Sequence, residues 1–264
     1  MTHTLQARGR QRPLRQAFAA LLGALALAVV AAPAQAKAIS AQDINNAAQL
    51  RMLAQRTAKL SLQIRLGVRS SDATAKLSDS VRQFDTLLGQ LSRISGDNKQ
   101  LARSLDAVAY NWDVLKTQLM SRDPDKINQA SEELTMTILR ASRTLEGEAG
   151  KSSGRLVSLA VQQNTLSQRM AKLYFLKQLG RQTQPEVEVT RVRFGTAFQQ
   201  LVAAPENTHY SLGLLALAKD QWFFYEQALK APQSNSAVYL ENVATTSERI
   251  SETMDGVIAQ YSKL

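Results

Sequence analysis

The residues with the clearest chemical potential are an arginine and an amide one helical turn apart. Arg51 and Gln55 lie in the stretch Ile44 to Leu62, I-N-N-A-A-Q-L-R-M-L-A-Q-R-T-A-K-L-S-L. An arginine presents a planar fork of donors that matches a planar oxyanion or a carboxylate. At about 100° per residue, both fall on one stripe with Ile44, Ala48, Ala58 and Leu62. Leu50, Leu53, Thr57, Leu60 and Ile64 form an ordinary core stripe on nearly the opposite side. A simple surface helix has one apolar stripe and one solvated face. Here a second stripe of small and apolar residues invites close approach by another backbone. An arginine held there pairs with an acid, snorkels to water or awaits an anion.

The stretch recurs. Leu53-Ala54-Gln55-Arg56-Thr57-Ala58-Lys59-Leu60 matches Leu166-Ser167-Gln168-Arg169-Met170-Ala171-Lys172-Leu173, 113 residues further on. The second stripe of this copy reads Val157, Val161, Asn164, Gln168, Ala171 and Phe175. Its core stripe is Leu159, Leu166, Met170, Leu173 and Leu176. If the two helices pack together, Arg51 and Gln55 are expected to face Asn164 and Gln168, with Ala48 admitting close contact. Such a site suits a small anion. One charge-assisted hydrogen bond contributes about 1.5–3 kcal/mol, which supports modest binding. Arg56, Lys59, Arg169 and Lys172 lie between the stripes and read as ordinary solubilising charges. Trp112 and Trp222, 110 residues apart, read as core anchors. Phe223, Phe224 and Tyr225 cannot all face inward.

Other chemistry is poorly represented. No glycines frame a serine as a nucleophile elbow, and no Gly-rich loop matches a phosphate cradle. Asp79, Asp85, Glu132, Glu133 and Glu248 are scattered along helical patterns and read as solvated faces. The chain has no cysteine, and its two histidines are His3 and His209, so neither a thiolate nor a histidine metal site is expected. No cofactor and no metal are expected, and the protein reads as a non-enzyme.

The 264 residues begin like a secretory signal: Arg8, Arg10, Arg12 and Arg15, an apolar run from Ala17 to Ala32, then Ala34-Gln35-Ala36. Cleavage after Ala36 and export to the periplasm are expected. Net charge is +10, and +6 without the first 36 residues. The basic residues are interspersed with acids and carry no aromatic interleaving, which disfavours a nucleic-acid reader.

Helical periodicity runs through the remainder. Ser40 caps a first helix to about Leu66. After a polar connection from Gly67 to Asp72, a second helix covers Ala73 to Ile94, a third about Lys99 to Ser121, and a fourth follows Pro124. Gly150-Lys151-Ser152-Ser153-Gly154 separates the halves, and four helices repeat the layout: about Leu156–Leu179, Val187–Ala203, Asn207 or Thr208 to Lys230, and Ala237–Ser262. The fold class is all-α: two tandem antiparallel four-helix bundles, eight helices in all, after a signal peptide. The expected domains are 1–36 (signal peptide), 37–150 and 151–264. End-to-end and side-by-side arrangements both remain open.

At the first helix the sequence resembles the PilJ/NarX-type sensor domain, the periplasmic four-helix module of nitrate/nitrite sensor kinases and type IV pili chemoreceptors. Ile44-Asn45-Asn46-Ala47-Ala48-Gln49-Leu50-Arg51-Met52 is similar to the family's I-N-x-A-G-x-x-R-M signature. Ser167-Gln168-Arg169-Met170-Ala171-Lys172 resembles the S-Q-R-x-A-K tail of that signature, as a second tandem copy. The resemblance implies that Arg51 is the arginine that meets an anion at a dimer interface, which two copies in one chain would mimic. Ala48 stands where the family has glycine, and Asn164 where the second arginine would be. No HAMP, kinase or methyl-accepting segment follows in this sequence.

These observations lead to an exported, sensor-like protein. It is expected to bind a small anion, nitrate or nitrite among the candidates, through Arg51, Gln55, Ala48, Asn164 and Gln168. A membrane chemoreceptor or sensor kinase is the expected partner, with a homodimer as a further association. The alternative is a structural or interaction protein of the cell envelope with no small-molecule ligand.

Overall fold

The structure is a computed structural model and describes residues 39–96, 98–121, 123–149, 154–230 and 237–264. The segment read as a signal peptide lies outside the described residues. Among those described there are eight α-helices and no strand: α1 (Ala41–Arg65), α2 (Ser70–Ile94), α3 (Lys99–Leu119), α4 (Pro124–Ala149), α5 (Arg155–Gln178), α6 (Gln184–Val202), α7 (His209–Lys230) and α8 (Ala237–Tyr261). The all-α architecture of tandem helical bundles is as expected.

Local chemistry sets the boundaries of α1. The Ser40 side chain accepts from the Asp43 amide at 3.2 Å, and the Asp43 carboxylate accepts from the Ser40 amide at 2.9 Å. This reciprocal cap satisfies two otherwise orphaned donors. At the other end Gly67 takes φ 74°, and Val68 N–H reaches back to the Gln63 carbonyl at 3.1 Å. Gly180, at the corresponding place after α5, has φ 84°, and Arg181 N–H reaches the Leu176 carbonyl at 3.0 Å. Both helices therefore end on the same left-handed turn, which a glycine accepts without a Cβ clash. With Arg69 also left-handed at φ 46°, the chain reverses quickly, and α2 starts at Ser70 rather than at the expected Ala73.

The two first helices are the frame. α1 packs on α2, α4 and α5, whereas α5 packs on α1, α6 and α8; α3 closes on α4, and α7 on α8. The α1–α5 pair is the most extensive contact in the molecule, so the two four-helix groups lie side by side. Gly154, just before α5, lies against Ile44 near the start of α1, so the two helices run in the same direction. The described residues form one compact unit.

The predicted division of labour on α1 holds for its apolar residues. Leu50 and Leu53, with Ala47, Met52 and Ala54, enter one core with Phe84, Trp112, Leu134 and Ile138. Ala48, Ala58 and Leu62 of the opposite stripe enter the other core with Val157, Val161 and Phe175 of α5. Burying both stripes leaves α1 with little solvated surface, as expected for a helix with neighbours on three sides.

The aromatic anchors repeat as well. Trp112 stacks on Phe84 with ring centroids 3.9 Å apart, and Trp222 stacks on Phe194 at 4.2 Å. Phe223 and Phe224 point outward, while Tyr225 is buried and donates to the Ser167 carbonyl at 2.8 Å.

Candidate functional site

The α1–α5 contact brings together charges that the sequence pattern did not connect. Lys59 Nζ donates to Glu248 Oε1 of α8 at 2.7 Å, and Arg56 forms a two-pronged pair with the same carboxylate. In the mirrored arrangement, Lys172 Nζ of α5 donates to Glu132 Oε1 of α4 at 2.6 Å and to Ser131 Oγ at 2.9 Å. Arg169 Nε donates to both Glu132 oxygens at 2.9 and 3.2 Å. Each first helix thus clasps the fourth helix of the opposite group.

This corrects the reading of these side chains as solubilising charges and solvated acids. Lys59 and Lys172 are fully buried, and the Glu248 side chain is 7% exposed. The reason is positional. A residue between two buried stripes becomes interior once neighbours cover both, and a buried charge is then held only if paired. The available signal was a Ser-Glu pair in each fourth helix, Ser131-Glu132 and Ser247-Glu248.

Burial opposes the charge on both acids, but the cations prevail. Lys59 and Arg56 hold Glu248, and Lys172 and Arg169 hold Glu132, at about 2, below the ordinary 4.5. The price falls on the lysine side: burial brings Lys172 down to about 8, despite the attraction of Glu132, because no water solvates its ammonium. A carboxylate with a lowered folded pKa contributes stability that is fully present above its unfolded value. That contribution is lost as pH falls from 4.5 towards 2. Denaturant midpoints measured across this window are expected to drop steeply in the wild type and less steeply in Glu248→Gln. Equal slopes in the two proteins would contradict this origin of acid sensitivity.

The expected ligand residues are distributed differently. Ala48 is buried in the core shared with α5. Gln55 donates to Thr135 Oγ1 of α4 at 2.9 Å. Gln168 donates to Ser251 Oγ of α8 at 2.7 Å and to the Ser247 carbonyl at 3.0 Å. Asn164 donates to Asp255 Oδ1 at 3.0 Å and accepts from Ser251. Each amide therefore turns to the fourth helix of its own group instead of facing its counterpart across the α1–α5 contact. Arg51 stands apart. Its Nε is buried with no hydrogen-bond partner among the described residues. Burial lowers its pKa, and Glu146 of α4 is the acid whose charge partly offsets this.

Among the described residues, no group of three or more His, Cys, Asp or Glu is placed to hold a metal ion, and no helix is long and apolar enough to cross a membrane. The site is a helical joint with paired internal charges and one underused arginine. Residues 34–140 match the family model PilJ, the type IV pili methyl-accepting chemotaxis transducer N-terminal region. The likeness carried by Ile44–Met52 thus holds through α1, α2 and α3 and into α4. The matched segment is less than half of the chain. It is similar to the sensor part of chemoreceptor transducers, which is not a catalytic family. No curated protein and no solved structure matches the chain.

Proposed function

We propose that this protein is an exported, non-catalytic sensor of chemotaxis-related signalling that binds a small anion at Arg51. The first 36 residues would direct it to the periplasm, and a membrane chemoreceptor would read the bound state. Residues 37–150 and 151–264 would act as two related modules, the second standing where a dimer partner stands in the NarX-like arrangement. The observation that carries the reading is the buried Arg51 Nε without a hydrogen-bond partner among the described residues. A guanidinium in that condition gains from an oxyanion, because this N–H is desolvated and unused. Gln55, Asn164 and Gln168 would have to exchange their present hydrogen bonds to join the ligand, so Arg51 supplies most of the affinity.

Calorimetry with nitrate, nitrite and acetate tests this. Nitrate or nitrite is expected to give heat, and Arg51→Ala to weaken binding by about 10- to 150-fold, equivalent to about 1.5–3 kcal/mol. The second reading is an interaction protein without a ligand, favoured by the amide N–H donors of Gln55, Asn164 and Gln168 already engaged by the fourth helices and by the crossed ion pairs. Absence of heat with all three anions would establish that reading in place of the first, and unchanged binding in Arg51→Ala would overturn Arg51 as the site.

A further inference from the structure

A second candidate site lies on a different face of α1. A cleft of about 380 Å³ opens between α1, α2 and α8. Its walls carry Asn45 and Gln49 of α1, Gln83 of α2, and Glu252 and Asp255 of α8. Met52 and Ile258, both buried, supply apolar surface.

Three features define what this cleft would accept. First, its charge is acidic. Arg56 and Glu248 also line it but are already joined to each other. Glu252 and Asp255 have no cation within ion-pairing distance among the described residues, and one Asp255 oxygen is engaged by Asn164. Second, Asn45 is 6% exposed, and its Oδ1 is buried with no hydrogen-bond partner. A buried acceptor left unmade is unfavourable and gains from any donor that enters. Third, Asp255, although exposed to solvent, is raised to about 6: partial desolvation by the surrounding protein raises it, Arg56 opposes, and repulsion from Glu252 and Glu248 adds to the rise. These carboxylates lack a counter-charge of their own.

We propose that the cleft between α1, α2 and α8 binds a small organic ammonium, of the alkylamine or diamine class. A primary ammonium has three donors and no acceptor. It would complement the Asn45 oxygen and the Asp255 and Glu252 carboxylates, and a short methylene stem would lie on Met52 and Ile258. An anion has no unpaired cation to meet there. Arg51 does not line this cleft, so the site stands independently of the anion reading.

Titration calorimetry of the purified protein with 1,4-diaminobutane and with n-butylamine, at fixed pH and low salt, tests it. Saturable binding is expected, weakened at least tenfold in Glu252→Gln/Asp255→Asn and in Asn45→Ala, and unchanged in Arg51→Ala. Glu252 is exposed, so Glu252→Gln alone retains the fold and should weaken binding several-fold. No heat with either amine, or binding by the double variant equal to wild type with its thermal midpoint preserved, would overturn the proposal.

Discussion

Glu248→Ala is expected to lower the unfolding free energy by about 3–5 kcal/mol, the usual cost of leaving one partner of a buried ion pair uncompensated. The reason lies in Lys59. Its side chain is fully buried, and Glu248 is its hydrogen-bond partner at 2.7 Å. Arg56 is 20% exposed and Lys76 is 32% exposed, so both can turn to water when the carboxylate is lost; Lys59 cannot. Glu132→Ala should cost less, because Lys172 retains the Ser131 hydroxyl at 2.9 Å and Glu132 is itself 33% exposed. A double variant, Glu248→Ala/Lys59→Met, should recover most of the loss, since an apolar side chain of similar length needs no counter-charge. Urea denaturation of the four proteins decides the matter. A loss below about 1 kcal/mol in Glu248→Ala would mean that water reaches Lys59 and that the clasp does not hold α1 to α8.

The second large effect concerns the tryptophans, and it is unequal. Trp112→Ala should cost about 3–5 kcal/mol and Trp222→Ala about 1–3 kcal/mol, following the dependence of truncation cost on burial. Trp112 is 1% exposed, stacks on the fully buried Phe84, and donates Nε1–H to Asp85 at 2.6 Å. Its removal leaves a cavity, a ring without its neighbour, and an acid without its donor. Trp222 has the equivalent stacking partner, Phe194, but is only partly buried, and its indole N–H makes no hydrogen bond among the described residues. Thermal or urea unfolding of the two variants should therefore rank them clearly. Equal losses would show that the two anchors are energetically equivalent despite their different exposure.

The charged joint was the least legible part of the molecule. Arg56 and Lys59 sit between the two stripes of α1, and such positions are usually wet. Their burial depends on α8 arriving from the other half of the chain, 189 residues beyond Lys59. The amides illustrate the same limit. Gln55 and Gln168 occupy equivalent places on α1 and α5, and facing each other was the simplest geometry. Instead Thr135 and Ser251, on fourth helices, offered oxygens within reach. The choice between two polar partners for one amide is made by distances that no helical period contains.

What the residues alone determined is the framework. Periodicity at three and four residues, the Ser40 cap, the glycines after α1 and α5 and the 113-residue repeat were enough for eight helices in two sets of four. They also sufficed to mark a second buried stripe on α1 and the likeness of its N-terminal half to the PilJ signature. Local propensity and burial pattern are properties of neighbouring residues, so they can be read from order in the chain. Only the tertiary structure decided that the two sets lie side by side and that Lys59 and Lys172 are interior. It also decided that each first helix is clasped by the opposite fourth helix, and that Arg51 is left without a hydrogen-bonded acid among the described residues. Those outcomes depend on which long-range neighbours exclude water, and exclusion of water is a property of the assembled fold.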